Sequence, residues 1–172
     1  VVLATHYCVG QDIVYNICKR GVNNIVEFKN IGLVENSSKK VTDLIAPTTK
    51  LLSAEGDWHA PYVAKALQNI DGDDITSTNF TGGNHAYNNT GIGVPTGRTA
   101  WVNFYADGYQ LTEGSGECDT FYIRWCNMIQ GYNTRKADGT GREILSEIIE
   151  MNFDGEKFIS TTKIVPLENI AI

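Results

Sequence analysis

The amino-acid sequence predicts an all-β domain, an antiparallel β-sandwich or jelly roll with long polar loops and little helix. Segments rich in β-branched and aromatic residues alternate along the chain with short turn signals. Two of these signals, Asp107-Gly108 and Asp154-Gly155, are dipeptides that favour β-hairpins. The 172 residues have the length of one domain, so residues 1–172 are expected to form a single sandwich-like unit. Because the sequence opens on Val1, we expect it to be a fragment of a longer chain.

The first predicted elements are two strands and the turn between them. Residues 12–19 alternate in a way that places three side chains on one face of a strand: Ile13, Tyr15 and Ile17. Residues 21–24 hold the glycine and the asparagines of a turn, and residues 25–33 supply a second short strand.

The second half of the chain continues the same pattern. Residues 98–106 are rich in β-branched and aromatic residues and run into the Asp107-Gly108 turn. Residues 120–129 form a more apolar strand, and residues 157–167 follow the Asp154-Gly155 turn as a further strand.

Two segments are compatible with a helix. The apolar residues within 142–153 have helical spacing, but the hairpin turn that follows favours one long strand. Residues 61–67 predict one or two helical turns, because Pro61 suits the first position of a helix.

Charge and composition exclude several classes of function. The net charge of -6 and the pI of about 5.0 argue against a nucleic-acid binder, since phosphate contacts need a basic surface. No apolar run approaches the roughly 20 residues of a membrane helix, so membrane insertion is not expected. The four cysteines lack a C-x-x-C pair and are expected to be buried free thiols of a protein made in a reducing cytoplasm. A bridge between Cys8 and Cys18 is the alternative.

The polar segment over residues 80–91 is the first candidate binding site. It is glycine-rich and contains no Asp, Glu, Lys or Arg, and long polar loops in compact domains are often functional. Asn84, His85 and Tyr87 supply amide, imidazole and phenol groups for sugar hydroxyls, and Arg98 is expected on the same rim. The alternative is a loop whose polar side chains satisfy only their own backbone.

Two further segments carry groups suited to sugars. An aromatic cluster supplies both rings that stack on the C–H faces of sugars and groups that form hydrogen bonds: Trp58, His59 and Tyr62. Packing in the core is the favoured explanation of this cluster. The basic loop over residues 130–142 contains Tyr132 and could engage an anionic polysaccharide. A solvated connection between two strands explains the same composition and is favoured.

Metal and catalytic signatures are weak. An acidic turn holds three carboxylates that could bind Ca²⁺, although an ordinary acidic turn is favoured and no cofactor is expected: Asp71, Asp73 and Asp74. G-x-S-x-G, H-E-x-x-H and P-loop motifs are missing from the sequence. If the domain is an enzyme, a polysaccharide lyase or glycan hydrolase fits best, with His85, Tyr87 and Arg98 as its catalytic groups.

The run Phe80-Thr81-Gly82-Gly83-Asn84-His85, followed by Arg98-Thr99 and a strand ending in Asp107-Gly108, resembles a β-domain of bacteriophage tail-fibre and minor tail proteins. The resemblance covers residues 71–108, and Ala86 stands where those proteins often have glycine. It implies a virion protein, extracellular after assembly, that recognises a host cell-surface polysaccharide, with a homotrimer in the parent protein. A glycan-degrading enzyme domain and a purely structural virion domain are the alternatives.

Overall fold

The structure, a computed structural model, describes residues 1–41, 49–53, 61–70, 79–87, 93–136, 139–155 and 157–172. These residues form thirteen strands and no α-helix, and within this part of the chain nothing helical is long and apolar enough to cross a membrane. In chain order the strands are β1 Val2–Cys8, β2 Gln11–Arg20, β3 Ile25–Glu35, β4 Thr49–Ser53, β5 Lys65–Ala66, β6 Ala86–Tyr87, β7 Val94–Pro95, β8 Gly97–Ala106, β9 Tyr109–Leu111, β10 Phe121–Gln130, β11 Glu143–Phe153, β12 Phe158–Pro166 and β13 Ile170–Ala171.

The first sheet is antiparallel and has the strand order β1-β2-β3-β4. Strands β2 and β3 join through a turn in which the Asn24 N–H donates to the Gly21 carbonyl at 3.2 Å. Gly21 and Asn24 have φ angles of 72° and 49°, in the left-handed region that glycine and asparagine adopt most readily. The strands predicted at residues 12–19 and 25–33, and the turn between them, are confirmed.

The second sheet is antiparallel and has the order β12-β11-β10-β8-β9. Asp107 and Gly108 join β8 to β9 with φ angles of 48° and 83°, the positive pair that a type I′ turn requires. Residues 143–153 form one strand, as expected, rather than a helix. The next hairpin has a longer loop than a two-residue turn, because Phe153 pairs with Phe158.

The two sheets pack face to face around an aromatic core. Its buried members come from both sheets and are Tyr15, Ile17, Val26, Phe28, Ile31, Phe121, Ile123, Trp125, Ile149, Met151 and Phe153. The ring of Tyr15 lies 5.2 Å from that of Phe153, centroid to centroid, in an edge-to-face arrangement that links the sheets. The predicted all-β fold and its sandwich arrangement are thereby confirmed, while the jelly-roll alternative is not.

A buried polar chain lies between this core and a smaller second cluster. The Tyr62 hydroxyl donates to Glu147 at 2.6 Å, and Asn127 donates to the same carboxylate at 2.8 Å. The Thr99 hydroxyl donates to Asn127 at 2.9 Å. Burial and the hydrogen bond with Glu147 raise the pKa of Tyr62, which therefore stays a neutral donor. The second cluster contains Ala64, Ala66, Ile129, Ile144 and Leu145.

The helical turns predicted at residues 61–67 are wrong. Tyr62 forms a β-bridge with Thr81, and residues 65–66 form β5, which pairs with β13. The buried amide of Asn133 accepts from the Ala66 N–H and donates to the Ala66 carbonyl, both at 2.9 Å. These partners hold the segment extended, so tertiary pairing overrides the local preference set by Pro61.

The cysteines are free thiols, and Cys8 and Cys18 are not bridged. The expectation that all are buried is wrong in part, because only Cys126 is fully buried, while Cys8 and Cys118 are exposed. Cys118 lies in the surface connection after β9, within residues 112–120, which contain no strand.

Candidate functional site

The described part of the polar segment, residues 80–87, is anchored by the buried side chain of Asn23. Its Nδ2 donates to the carbonyls of Gly83 and His85 at 2.8 and 3.0 Å. Its Oδ1 accepts from the backbone N–H groups of Thr96 and Gly97 at 2.7 and 3.0 Å. Asn23 therefore ties the β2–β3 turn to the polar segment and to the start of β8.

Asn84 and His85 lie against this anchor. The Oδ1 of Asn84 accepts from the Val22 N–H at 2.8 Å, and the carbonyl of His85 accepts from the Thr96 hydroxyl at 2.6 Å. The imidazole of His85 is partly exposed and its ring centre lies 5.2 Å from that of Phe80. Asn84 thus makes a structural contact, and the predicted ligand roles of Asn84 and His85 both stay predictions.

Tyr87 does not reach the surface. Its side chain is fully buried, and its hydroxyl donates to the Gly131 carbonyl at 2.6 Å. Burial raises the pKa of Tyr87, and the guanidinium carbon of Arg135 lies 5.3 Å from the centre of its ring. Tyr132, from the same loop as Gly131, is also buried, and its N–H donates to the Ala64 carbonyl at 3.0 Å. Both tyrosines are therefore packed inside the domain rather than open to a ligand.

Arg98 is exposed on the outer face of the second sheet, at the second position of β8. It forms two hydrogen bonds with Glu143, from Nε at 2.6 Å and from Nη2 at 3.1 Å, and this pairing raises the pKa of Arg98. The side chain of Arg98 is therefore paired with Glu143, whereas that of Tyr87 is buried. The remaining predicted residues, Trp58 and His59 of the aromatic cluster and Asp71, Asp73 and Asp74 of the acidic turn, lie outside the described residues.

The outer face of the second sheet carries a different set of aromatic and charged side chains. In β8, Val102 and Phe104 pack towards the core, so Trp101 and Tyr105 point to the opposite side. In β10 the same alternation places Tyr122 and Arg124 outward, between the inward Phe121, Ile123 and Trp125. We call Trp101, Tyr105, Tyr122, Arg124 and the neighbouring Glu150 the aromatic platform.

The pairing of the strands brings these five side chains into contact. Tyr105 is directly opposite Tyr122, and their ring centres are 5.5 Å apart at an interplanar angle of 42°. The Arg124 guanidinium carbon lies 5.2 Å from the centre of the Trp101 ring, and its Nη2 lies 3.5 Å from the Glu150 carboxylate. Burial and the Glu150 carboxylate raise the pKa of Tyr122, so its phenol remains a donor.

The platform presents two aromatic positions to solvent. Trp101 and Tyr105 are partly exposed and lie four residues apart on one face of β8, which corresponds to about 13 Å along the strand. Arg124 and Glu150 are 38% and 39% exposed, so charged groups stand beside the rings. The surface combines flat apolar faces with donors and an acceptor on three rigid strands.

Sequence reasoning missed both the platform and Asn23. The alternation in residues 101–105 contained the signal for the platform, because the odd positions hold Trp101, Asn103 and Tyr105. Asn23 gave no comparable signal, since its partners are 60 to 74 positions further along the sequence.

A scan against models of protein families, a search of curated proteins and a search of solved structures found no match for this chain.

Proposed function

We propose that this domain is a carbohydrate-binding module that holds an extended polysaccharide against the aromatic platform. The observation that supports this most strongly is the position of Trp101 and the Tyr105–Tyr122 pair, partly exposed on the outer face of the second sheet. Soluble domains usually bury such large rings, and exposed clusters of them mark interaction surfaces.

The chemistry of the platform suits a polymer of sugars. The C–H faces of a pyranose ring stack on indole and phenol rings, which are amphipathic and lose little entropy on binding. Aromatic positions about 13 Å apart can contact separate rings of one chain. Arg124 and Glu150 would orient the polymer through its hydroxyls, and Arg124 could also pair with a sugar carboxylate.

The biological setting that we propose is host recognition by a virion. That part rests on the resemblance of residues 71–108 to tail-fibre and minor tail domains, while the platform supplies the proposed binding surface. An oligomeric parent protein would add avidity to a module with modest affinity. Because the platform is an open sheet face, we propose that the domain binds the polysaccharide without cleaving it.

A glycan array followed by titration of the best polysaccharide tests the proposal. Y122A should weaken binding about two- to tenfold, the effect expected when one aromatic contact is lost. H85A, which changes the site first predicted from sequence, should leave affinity unchanged. If H85A binds more weakly and Y122A binds as wild type does, the binding site lies at the polar segment instead of the platform. An array on which no glycan is bound would contradict the proposal.

A further inference from the structure

Strand β12 is the longest regular sheet edge among the described residues. It spans nine residues, ends the order of the second sheet and pairs with β11 without a register shift. The other edges are shorter or interrupted: β1 carries an irregularity between His6 and Cys8, β4 has five residues and β9 has three. Long, regular edges favour pairing with a further strand, and proteins usually interrupt or charge them.

The backbone direction of β12 follows from the hydrogen bonds at its two ends. The Leu167 N–H donates to the Ile144 carbonyl at 2.9 Å, and the Asp154 N–H donates to the Lys157 carbonyl at 3.2 Å. Because the register between these ends is continuous, the odd-numbered residues of β12 face β11. The N–H and carbonyl groups of the even-numbered residues therefore point outward: Ser160, Thr162 and Ile164. Pro166, which has no N–H, occupies an even position, where a sheet edge tolerates proline.

We propose that β12 pairs antiparallel with β12 of a second copy of this chain, about a two-fold axis at Thr162. In that register the outward groups of Thr162 meet those of Thr162 in the partner copy, and Ser160 meets Ile164. All nine residues of the strand have a partner in this register, and Pro166, which has no N–H, is the one residue that cannot donate a hydrogen bond to its partner, Phe158. The interface is isologous, since each contact occurs twice by symmetry.

Side-chain complementarity supports a second copy as the occupant. The register places Lys163 opposite Thr161 of the other copy, so the two lysines are not directly opposed. On β11, Glu150 is the neighbour of Thr161 on the same face. In the dimer, Lys163 of one copy and Glu150 of the other would therefore lie on the same face with Thr161 between them, two strand spacings or about 10 Å apart. Strand β12 is also rich in β-branched residues, which suit a paired strand: Ile159, Thr161, Thr162, Ile164 and Val165.

The pairing would join the two second sheets into one continuous sheet with both outer faces on the same side. The two β10 strands would be five strand spacings apart, or about 24 Å. The dimer is independent of the proposed carbohydrate function, but it would place two aromatic platforms on one surface and allow a long polymer to bind both.

Sedimentation velocity over a range of protein concentrations tests the dimer with a charge exchange. T161K places a lysine opposite Lys163 of the partner copy and should weaken dimerisation about two- to thirtyfold, because the pair occurs twice. The double variant T161K/K163E restores an opposite-charge pair and should regain the wild-type affinity. All substituted side chains are exposed, so the fold should persist.

A backbone variant gives a second, independent readout. T162P removes the N–H at the centre of the interface and should abolish the dimer, whereas T162V keeps this N–H and should retain it. Circular dichroism would establish that both variants are folded. A wild-type chain that stays monomeric up to about 1 mM, or a dimer that neither the charge exchange nor T162P alters, would overturn the proposal.

Discussion

The guanidinium of Arg124 lies 5.2 Å above the ring of Trp101, on the outer face of the second sheet. Both residues belong to rigid strands, β10 and β8, and the carboxylate of Glu150 stands 3.5 Å from the same guanidinium. A planar cation over an indole restrains the ring, and it also leaves donors at its edge for a ligand.

The variant R124K tests whether the guanidinium stacked on Trp101 contributes to polysaccharide affinity. R124K keeps the positive charge but loses the planar stacking group, so polysaccharide affinity should fall about two- to tenfold. Isothermal titration calorimetry with the polysaccharide identified on the array would measure it. R98K is the matched control on the same face, and a larger loss in R98K than in R124K would place the binding site near Glu143 instead.

Asn23 should be among the most sensitive positions for stability. N23A removes four hydrogen bonds from a side chain that is 3% exposed and leaves the N–H groups of Thr96 and Gly97 without their acceptor. We expect urea denaturation to show a loss of about 2–4 kcal/mol in the free energy of unfolding. N30A, which removes one partly buried hydrogen bond with Asn16, should cost about 1 kcal/mol or less. Equal effects of the two variants would refute the role of Asn23 as an anchor.

A substitution at Gly108 tests the effect of backbone strain on stability in the absence of steric overlap. Its φ of 83° disfavours any residue with a side chain, while a Cβ at this position would have open space around it. G108V should therefore destabilise the domain by about 1–3 kcal/mol through strain alone. G116V is the control, because Gly116 also has open space but no positive φ. Thermal denaturation that ranks the two variants equally would argue against the type I′ turn.

His6 should make stability depend on pH near neutrality. Its Nδ1 lies 2.6 Å from an oxygen of the buried Asp12 carboxylate, and its Nε2 lies 3.3 Å from the Lys39 carbonyl. Both neighbours are acceptors, so the imidazolium satisfies both contacts, and the hydrogen bond with Asp12 raises the pKa of His6 above 6.5.

The sign of this effect follows from the raised pKa in the folded state. The contribution of His6 to stability is fully present below about pH 6.5 and is lost as the pH rises through the higher folded pKa. H6Q cannot titrate, so the difference in melting temperature between wild type and H6Q should shrink as the pH increases across this range. A difference that stays constant with pH would show that His6 contributes only uncharged contacts.

Local patterns were enough to predict the strands but not the site. The alternation of Ile13, Tyr15 and Ile17 and the Asp107-Gly108 turn depend on neighbouring residues, and the structure confirms both. Tyr87 looked exposed because its neighbours are polar, yet its hydroxyl is satisfied by Gly131 on another loop. A hydrogen-bond partner that is distant in the sequence cannot be identified from the residues that surround Tyr87.

The outer face illustrates a second limit of sequence reasoning. Arg98 and Trp101 are three residues apart in β8, a spacing that would put them on opposite faces of a regular strand. The pairing of β8 with β10 shifts register between Cys126 and Asn127, so both side chains point outward. A bulge of this kind depends on the partner strand and cannot be read from β8 alone.

The most direct test of the aromatic platform is the affinity of W101A for the polysaccharide that the wild-type domain binds. We predict a loss of about tenfold, because Trp101 carries the largest ring of the platform. Y109A is the matched control, since Tyr109 is 78% exposed at the edge strand of the same sheet and lies outside the platform. A folded W101A domain that binds as tightly as wild type and Y109A would show that the aromatic platform is not the binding surface.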